Sequence, residues 1–242
     1  MPASLLPPKT SATPVALLLV LEASTTAGSV ALIADGARAL VRSVTMGAGR
    51  EDHLFPAVQA LLAEAGATAG ELTGVVCGAG PGSFTSLRIA ASLAKGLADG
   101  TSVPLFAVSS LLLAAADARE VLPAGPAVVH ADALRGERYV LDVSFDADGC
   151  VRPQSALQRM TLEQLEHHAV GHPRLAVLSS PTLDRETRIV SPSSANLPHV
   201  AASAWSGAVS LDRWEPEYGR LAEAQVKWEA SHGAPLPSHV VP

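Results

Sequence analysis

The chain has 242 residues, 48% of them hydrophobic, and carries 23 acidic against 17 basic side chains for a formal net charge of −6. Binding to a phosphate backbone is dominated by Lys and Arg and normally shows as a basic surplus, so the composition argues against strong unaided binding of nucleic acid and leaves a local basic patch open. No apolar run reaches the roughly 18–20 residues of a membrane helix, and the length suits one large domain or two small ones.

The opening residues 1–14, MPASLLPPKTSATP, read as a flexible tail. A signal peptide is the weaker reading: the apolar run Val15–Leu21 is short, ends at Glu22 and follows a single basic residue, Lys9. VALLLVLEA is instead a continuous β-rich run suited to a strand buried on both faces. The Asp35-Gly36 pair is a strong hairpin signal, so a three-stranded meander is predicted over Ala16–Glu22, Ser29–Ala34 and Ala39–Val44, ended by Gly47 and Gly49. Leu54, Val58, Leu61 and Ala65 then recur at helical spacing before Gly66. A strand at Gly74–Cys77, a helix from Phe84 and a strand in VPLFAVSSL follow. Three strands, then helix, strand, helix, strand, describe one ribonuclease-H-like unit over residues 15–108, the building block of the actin/Hsp70/sugar-kinase (ASKHA) class.

A second α/β unit is expected over 109–230, with a helix in LLLAAADAREVL and strands in PAVVHADA, RYVLDVSFDADGCV and RLAVLSS. Thr161 with Gln164 makes a capping box for a further helix. Residues 181–198 read as a Ser/Pro/Thr-rich loop, the C-terminal helices are expected to pack back on the first unit, and 231–242 as a frayed tail. Cys77 and Cys150 fit neither a metal pattern nor a disulfide framework and are expected to be reduced, in a cytoplasmic protein.

GAGPGSFTSLRIAASLAKGLA, from Gly78 to Ala98, looks at first like a phosphate loop. A P-loop needs Gly-Lys-Ser/Thr, but here Gly82-Ser83-Phe84 stands in its place; a dinucleotide fingerprint needs a third glycine where Ser83 sits. Gly80, Pro81 and Gly82 are better read as a pre-set turn and Ser83 as the N-cap of the helix behind it. The free N–H groups there permit weak anion affinity, and no cofactor is expected. One helix face, Ile89, Leu93 and Leu97, suffices to sit on the sheet; a second carries Phe84, Leu87, Ala91 and Ala94, bordered by Arg88 and Lys95. A helix apolar on two sides needs two covers. The residues leave open whether the helix over Leu54–Ala65 supplies the second, or whether both helices face another protein.

LEASTTAGSVAL, HLFPAVQALLAEAG, the GPGSFT.LRI signature and FAVSSL, between about Leu17 and Leu111, closely resemble the TsaB (YeaZ) family. DALRGERYV and EPEYGRLAEAQ are similar to two further family motifs. The resemblance implies a non-catalytic subunit of the machinery that makes threonylcarbamoyladenosine at adenosine 37 of ANN-decoding tRNAs. It implies the catalytic paralogue TsaD and the ATPase TsaE as partners, a homodimer when alone, and contact with tRNA only through them. It also implies docking through the two helices, with Leu54, Val58, Leu61, Phe84, Leu87, Arg88, Ala91 and Lys95 as the expected interface. Three departures are evident: Glu22 where the family has Asp, Ser86 for glycine, and Gly219 for leucine. Glu22, Ser24 and Thr85 are the positions for any weak anion or nucleotide contact. The paralogue's metal-binding histidines correspond to Ser110 and Ala114, neither of which replaces an imidazole.

His168 and His172, with His167, invite a zinc reading, but Gly171 and Pro173 end the helix there and no third ligand is near. Asp132, Arg135, Glu137 and Arg138 surround a strand-entry turn, where charge is usually solvated. Arg50 and His53 read equally as capping or interface residues. The expectation is a protein without catalytic or metal-binding residues of its own; the rival is a small ASKHA-class ATPase or metallopeptidase-like enzyme.

Overall fold

The computed structural model describes residues 16–36, 38–46, 53–177, 187–218 and 231. Expectations on the first tail, on Gly47, Gly49 and Arg50, on the end of the C-terminal motif with Gly219, and on the last tail lie outside them. Strands β1 (Leu17–Glu22), β2 (Ala27–Ala34) and β3 (Arg38–Thr45) form the antiparallel meander, turned at Asp35 and Gly36 with φ of 51° and 71°. Helix α1 (Leu54–Ala65) ends on left-handed Gly66 and leads to β4 (Gly74–Gly78), which lies parallel to β1. Helix α2 (Phe84–Thr101) and β5 (Leu105–Val108) complete a sheet of order β3-β2-β1-β4-β5.

Strand β1 is apolar from Leu17 to Leu21 because both its faces are covered. Leu17, Leu19 and Leu21 join Leu54, Val58, Leu61, Ala90, Ala94 and Ala98 in a core beneath α1 and α2. Val20, with Ala31, Ile33 and Val76, joins the core on the other side. There the short helix α3 (Ser110–Ala115) packs, ending earlier than LLLAAADAREVL suggested and tightening into a 3-10 turn at Ala116–Ala118.

The second sheet, β11-β10-β6-β7-β8 with β9 also on β7, comprises β6 (Gly125–Asp132), β7 (Glu137–Phe145), β8 (Val151–Pro153), β9 (Gln158–Thr161), β10 (Arg174–Val177) and β11 (Thr187–Val190). Helix α4 (Leu162–His168) starts at the predicted box: the Gln164 N–H donates to Thr161 Oγ1 at 3.2 Å, and the Thr161 N–H to Gln164 Oε1 at 2.9 Å. Strand β11 corrects the reading of 181–198 as loop over 187–190, while 181–186 lie outside the described residues. Its four residues alternate poorly and leave Ile189 54% exposed, so the parallel ladder to β10 holds the strand rather than any local pattern.

Candidate functional site

The glycine loop is held from three directions. Gly78 and Gly82 have no room for a Cβ, which would overlap the Glu22 carboxylate at one and the backbone of Ser24 at the other. A Cβ on Gly80, whose φ is +87°, would stand 2.6 Å from the carbonyl oxygen of Glu217. The Ser83 N–H donates to Ser24 O at 2.8 Å, and the Glu217 N–H to Ala79 O at 2.7 Å. The glycines thus allow close approach of protein to protein. Ser83 occupies the N-cap position, but its hydroxyl makes no capping bond; it accepts from Ser86 Oγ at 3.1 Å. Ser86, the departure from glycine, is buried and gives Ser83 this partner.

Glu22, expected as a weak anion contact, is corrected to an internal group: it is 0% exposed, out of reach of a ligand in solution. Its Oε1 accepts the Ser24 N–H at 2.6 Å and its Oε2 the Ser110 hydroxyl at 2.8 Å, while Ser110 Oγ accepts from the Gly80 N–H at 3.1 Å. Burial pushes the Glu22 carboxyl up from its ordinary range, and the bonds from Ser24 and Ser110 pull it only part of the way back. Burial, with the carboxylate close by, also pushes the Cys77 thiol up. Ser24 is buried and its N–H is taken by Glu22; Thr85 alone of the three expected contacts is exposed.

The faces of the two helices are the reverse of the sequence expectation. Leu54, Val58 and Leu61 are at most 1% exposed and lie against the sheet, so no partner can reach them. Leu87 at 0% is sealed beside the glycine loop, its Cδ1 2.9 Å from where a Cβ on Gly80 would be, and Ala91 is likewise buried. The reason is size: the alanine row Ala90, Ala94 and Ala98 lets the helix sit close on the sheet, which the branched Ile89, Leu93 and Leu97 would hold away. Those three are half-buried at the rim of the core, and Phe55 on α1 is 44% exposed. Residues 208–218 of the same chain cover the flank with Phe84, Arg88 and Lys95. Tyr218 packs on Phe84 with centroids 4.7 Å apart and the rings tilted by 49°; Lys95 lies 5.9 Å over Trp214 and 3.4 Å from Glu215 Oε1; Arg88 lies 5.5 Å over Phe84. This strap is anchored on β5, where Val209 N–H donates to Leu105 O at 2.8 Å. The sequence reading had helices of the C-terminal segment returning to the first unit and did not foresee this irregular strap, for which the spacing of Trp214 and Tyr218 in an otherwise polar segment was the available signal.

Elsewhere, His168 Nε2 lies 2.6 Å from Asp142 Oδ1, and His167 Nδ1 lies 2.8 Å from Glu163 O. Arg138 donates to Asp132 at 2.8 Å, and Arg159 lies 3.4 Å from Glu137. Among the described residues no group of three His, Cys, Asp or Glu is placed to hold a metal ion, and no helix is long and apolar enough to cross a membrane.

A family model described as "TsaD: tRNA N6-adenosine threonylcarbamoyltransferase" matches residues 49–152. The tRNA threonylcarbamoyladenosine biosynthesis protein TsaB of Escherichia coli is 28% identical over 221 residues, covering 84% of this chain and 94% of its own length. The protein of the same name from Haemophilus influenzae is 33% identical over 126 residues, 52% of this chain and 53% of its own, so that match spans about half its length. Among solved structures, YeaZ from Pseudomonas aeruginosa superposes with a TM-score of 0.69 at 28% identity, over 84% of this chain and 99% of that one. With its two mixed sheets and the GPGSFT loop heading α2, this chain is similar in sequence and in fold to the TsaB (YeaZ) proteins.

Proposed function

We propose that this chain serves threonylcarbamoyladenosine biosynthesis on tRNA as a non-catalytic subunit, docking on the catalytic paralogue TsaD through the outer faces of α1 and α2. The observation that carries the reading is the half-exposed stripe Ile89, Leu93 and Leu97 at i, i+4 and i+8 on α2, together with the exposed Phe55 on α1, which packs on the same core. Apolar side chains at that spacing form the surface into which another helix pair packs. Both helices also rest on a rigid sheet, so the surface is pre-organised. The positions of the paralogue's metal-binding histidines supply further support: Ser110 and Ala114 are buried, and the Ser110 hydroxyl already serves Glu22 and Gly80. A TsaE-like ATPase joins this assembly in the same reading, and a second copy of the chain takes the TsaD place when the protein is alone.

The test is size-exclusion chromatography with light scattering of the full chain mixed with TsaD from the same source. Co-elution is expected for the wild type, with at least tenfold weaker association for Leu93→Glu and Phe55→Glu. Undiminished association of the double variant would overturn the docking surface. Magnesium-dependent ATP hydrolysis by the purified chain alone, abolished in Glu22→Ala, would favour the enzyme reading instead.

A further inference from the structure

Glu22 is a carboxyl group with no exposure whose partners are neutral donors: the Ser24 N–H at 2.6 Å and the Ser110 hydroxyl at 2.8 Å. Around it converge the β1–β2 turn, the glycine loop and the start of α3. Ser110 bonds Gly80 twice, accepting its N–H on Oγ at 3.1 Å and donating its own N–H to Gly80 O at 2.9 Å. The backbone of Ser24 in turn accepts Ser83 N–H at the head of α2. The groups bonded to the carboxyl are uncharged; of the other elements packed on β1 and β2, the 3-10 turn Ser194–His199, joined to Ser29 Oγ through the Ser194 N–H, carries His199, and α2 carries Arg88 and Lys95. Strand β4 offers the Cys77 thiol, β2 offers Ser29 as the cross-strand partner, and α3 offers Ser110. The strap offers the backbone of Glu217, whose residue is otherwise exposed, and the Tyr218 phenol. Neither hydrogen bond to the carboxyl comes from a lysine, arginine or histidine.

We propose that Glu22 is a proton-operated latch on the glycine loop: the protonated carboxyl keeps the loop clasped, and the loop opens more readily once the proton is lost. The argument rests on where the charge is better accommodated. Closed, the anion is held by neutral dipoles and excluded from water; open, it is solvated. Opening therefore becomes easier as pH rises from the ordinary glutamate value, about 4.3, towards the higher midpoint that burial imposes on the closed form, and levels off above it. The sign is opposite to that of an ion-paired carboxylate, whose clasp tightens as pH rises. The latch needs only the fold and holds whether or not α2 docks on another protein; if it does, the loop that aims α2 makes docking pH-sensitive.

Amide hydrogen exchange of the full chain, read by NMR at Ser24, Gly80 and Ser110 and corrected for intrinsic rates, tests this. In the wild type the opening equilibrium is expected to rise by up to about tenfold per pH unit across that window, the slope of a single proton. In Glu22→Gln, which keeps the shape and an acceptor for Ser24, it is expected to stay flat. A flat wild type, or an equal slope in the variant, would overturn the latch. Should Glu22→Gln not fold, the carboxyl carbon of Glu22 is titrated by NMR in the wild type. A midpoint above about 4.3 upholds the proposal, and one at or below it sinks it.

Discussion

Truncating Leu87 and Leu93, six positions apart on α2, separates the buried face of that helix from its free one. Leu87 is 0% exposed and pressed beside Gly80, whereas Leu93 is half-buried at the rim of the core. Leu87→Ala removes three carbons from a sealed site, about 2.4 kcal/mol at about 0.8 per methylene. The cavity left behind brings the expected loss to about 3–5 kcal/mol. Closure of that cavity is hindered because the loop above it is pinned by Ser24, Ser110 and Glu217. Leu93→Ala leaves a dent open to water and is expected to cost under about 1 kcal/mol. Urea unfolding followed by far-UV circular dichroism measures both, with an unchanged m-value certifying a like-for-like comparison. If Leu87→Ala came within about 0.5 kcal/mol of the wild type, or Leu93→Ala proved the costlier, the assignment of faces would be wrong.

Gly82→Ala puts a Cβ onto the backbone of Ser24; a loss of about 1–3 kcal/mol or more is expected in the same unfolding assay, and a neutral result would mean the loop is not held as described. Thr161→Ala removes the hydroxyl that caps α4 and should cost about 1 kcal/mol, largely restored in Thr161→Ser. Tyr218 is pushed up to about 12 by burial, then by its bond to Glu215. Its folded value lies above the ordinary one of about 10, so its contribution to stability is complete below that value and is lost as pH rises through about 12. The tyrosinate absorbance missing from Tyr218→Phe, relative to the wild type, is therefore expected only near that upper limit; its appearance near the ordinary value would show the strap detached.

How much of this was legible beforehand can be judged on particular residues. The meander, the Asp35-Gly36 turn, the helix stop at Gly66 and the Thr161 box are written in local signals, and the structure has them all. The glycine loop was read as a turn, and what holds it was not visible. Gly78 and Gly82 are fixed by Glu22 and Ser24, which lie more than fifty residues earlier in the chain.

Periodicity alone established that α2 is apolar on two sides; it had no means of ranking them. The larger side chains of Ile89, Leu93 and Leu97 suggested the core, yet the sheet took the alanines, because close packing rewards a helix that can approach over one that must stand off. Likewise a strap from residues 208–218 occupies the flank at Phe84 and Lys95, a contact between segments about 120 residues apart. The carboxyl of Glu22 is the plainest case. The sequence determined its position at the end of a buried strand, while its inward aim and its loss of water were decided by the loop and the helix that fold over it. Local signals follow from the torsional and hydrogen-bonding preferences of neighbouring residues. Which face is buried, and which charge is stranded, depends on what distant segments bring against it.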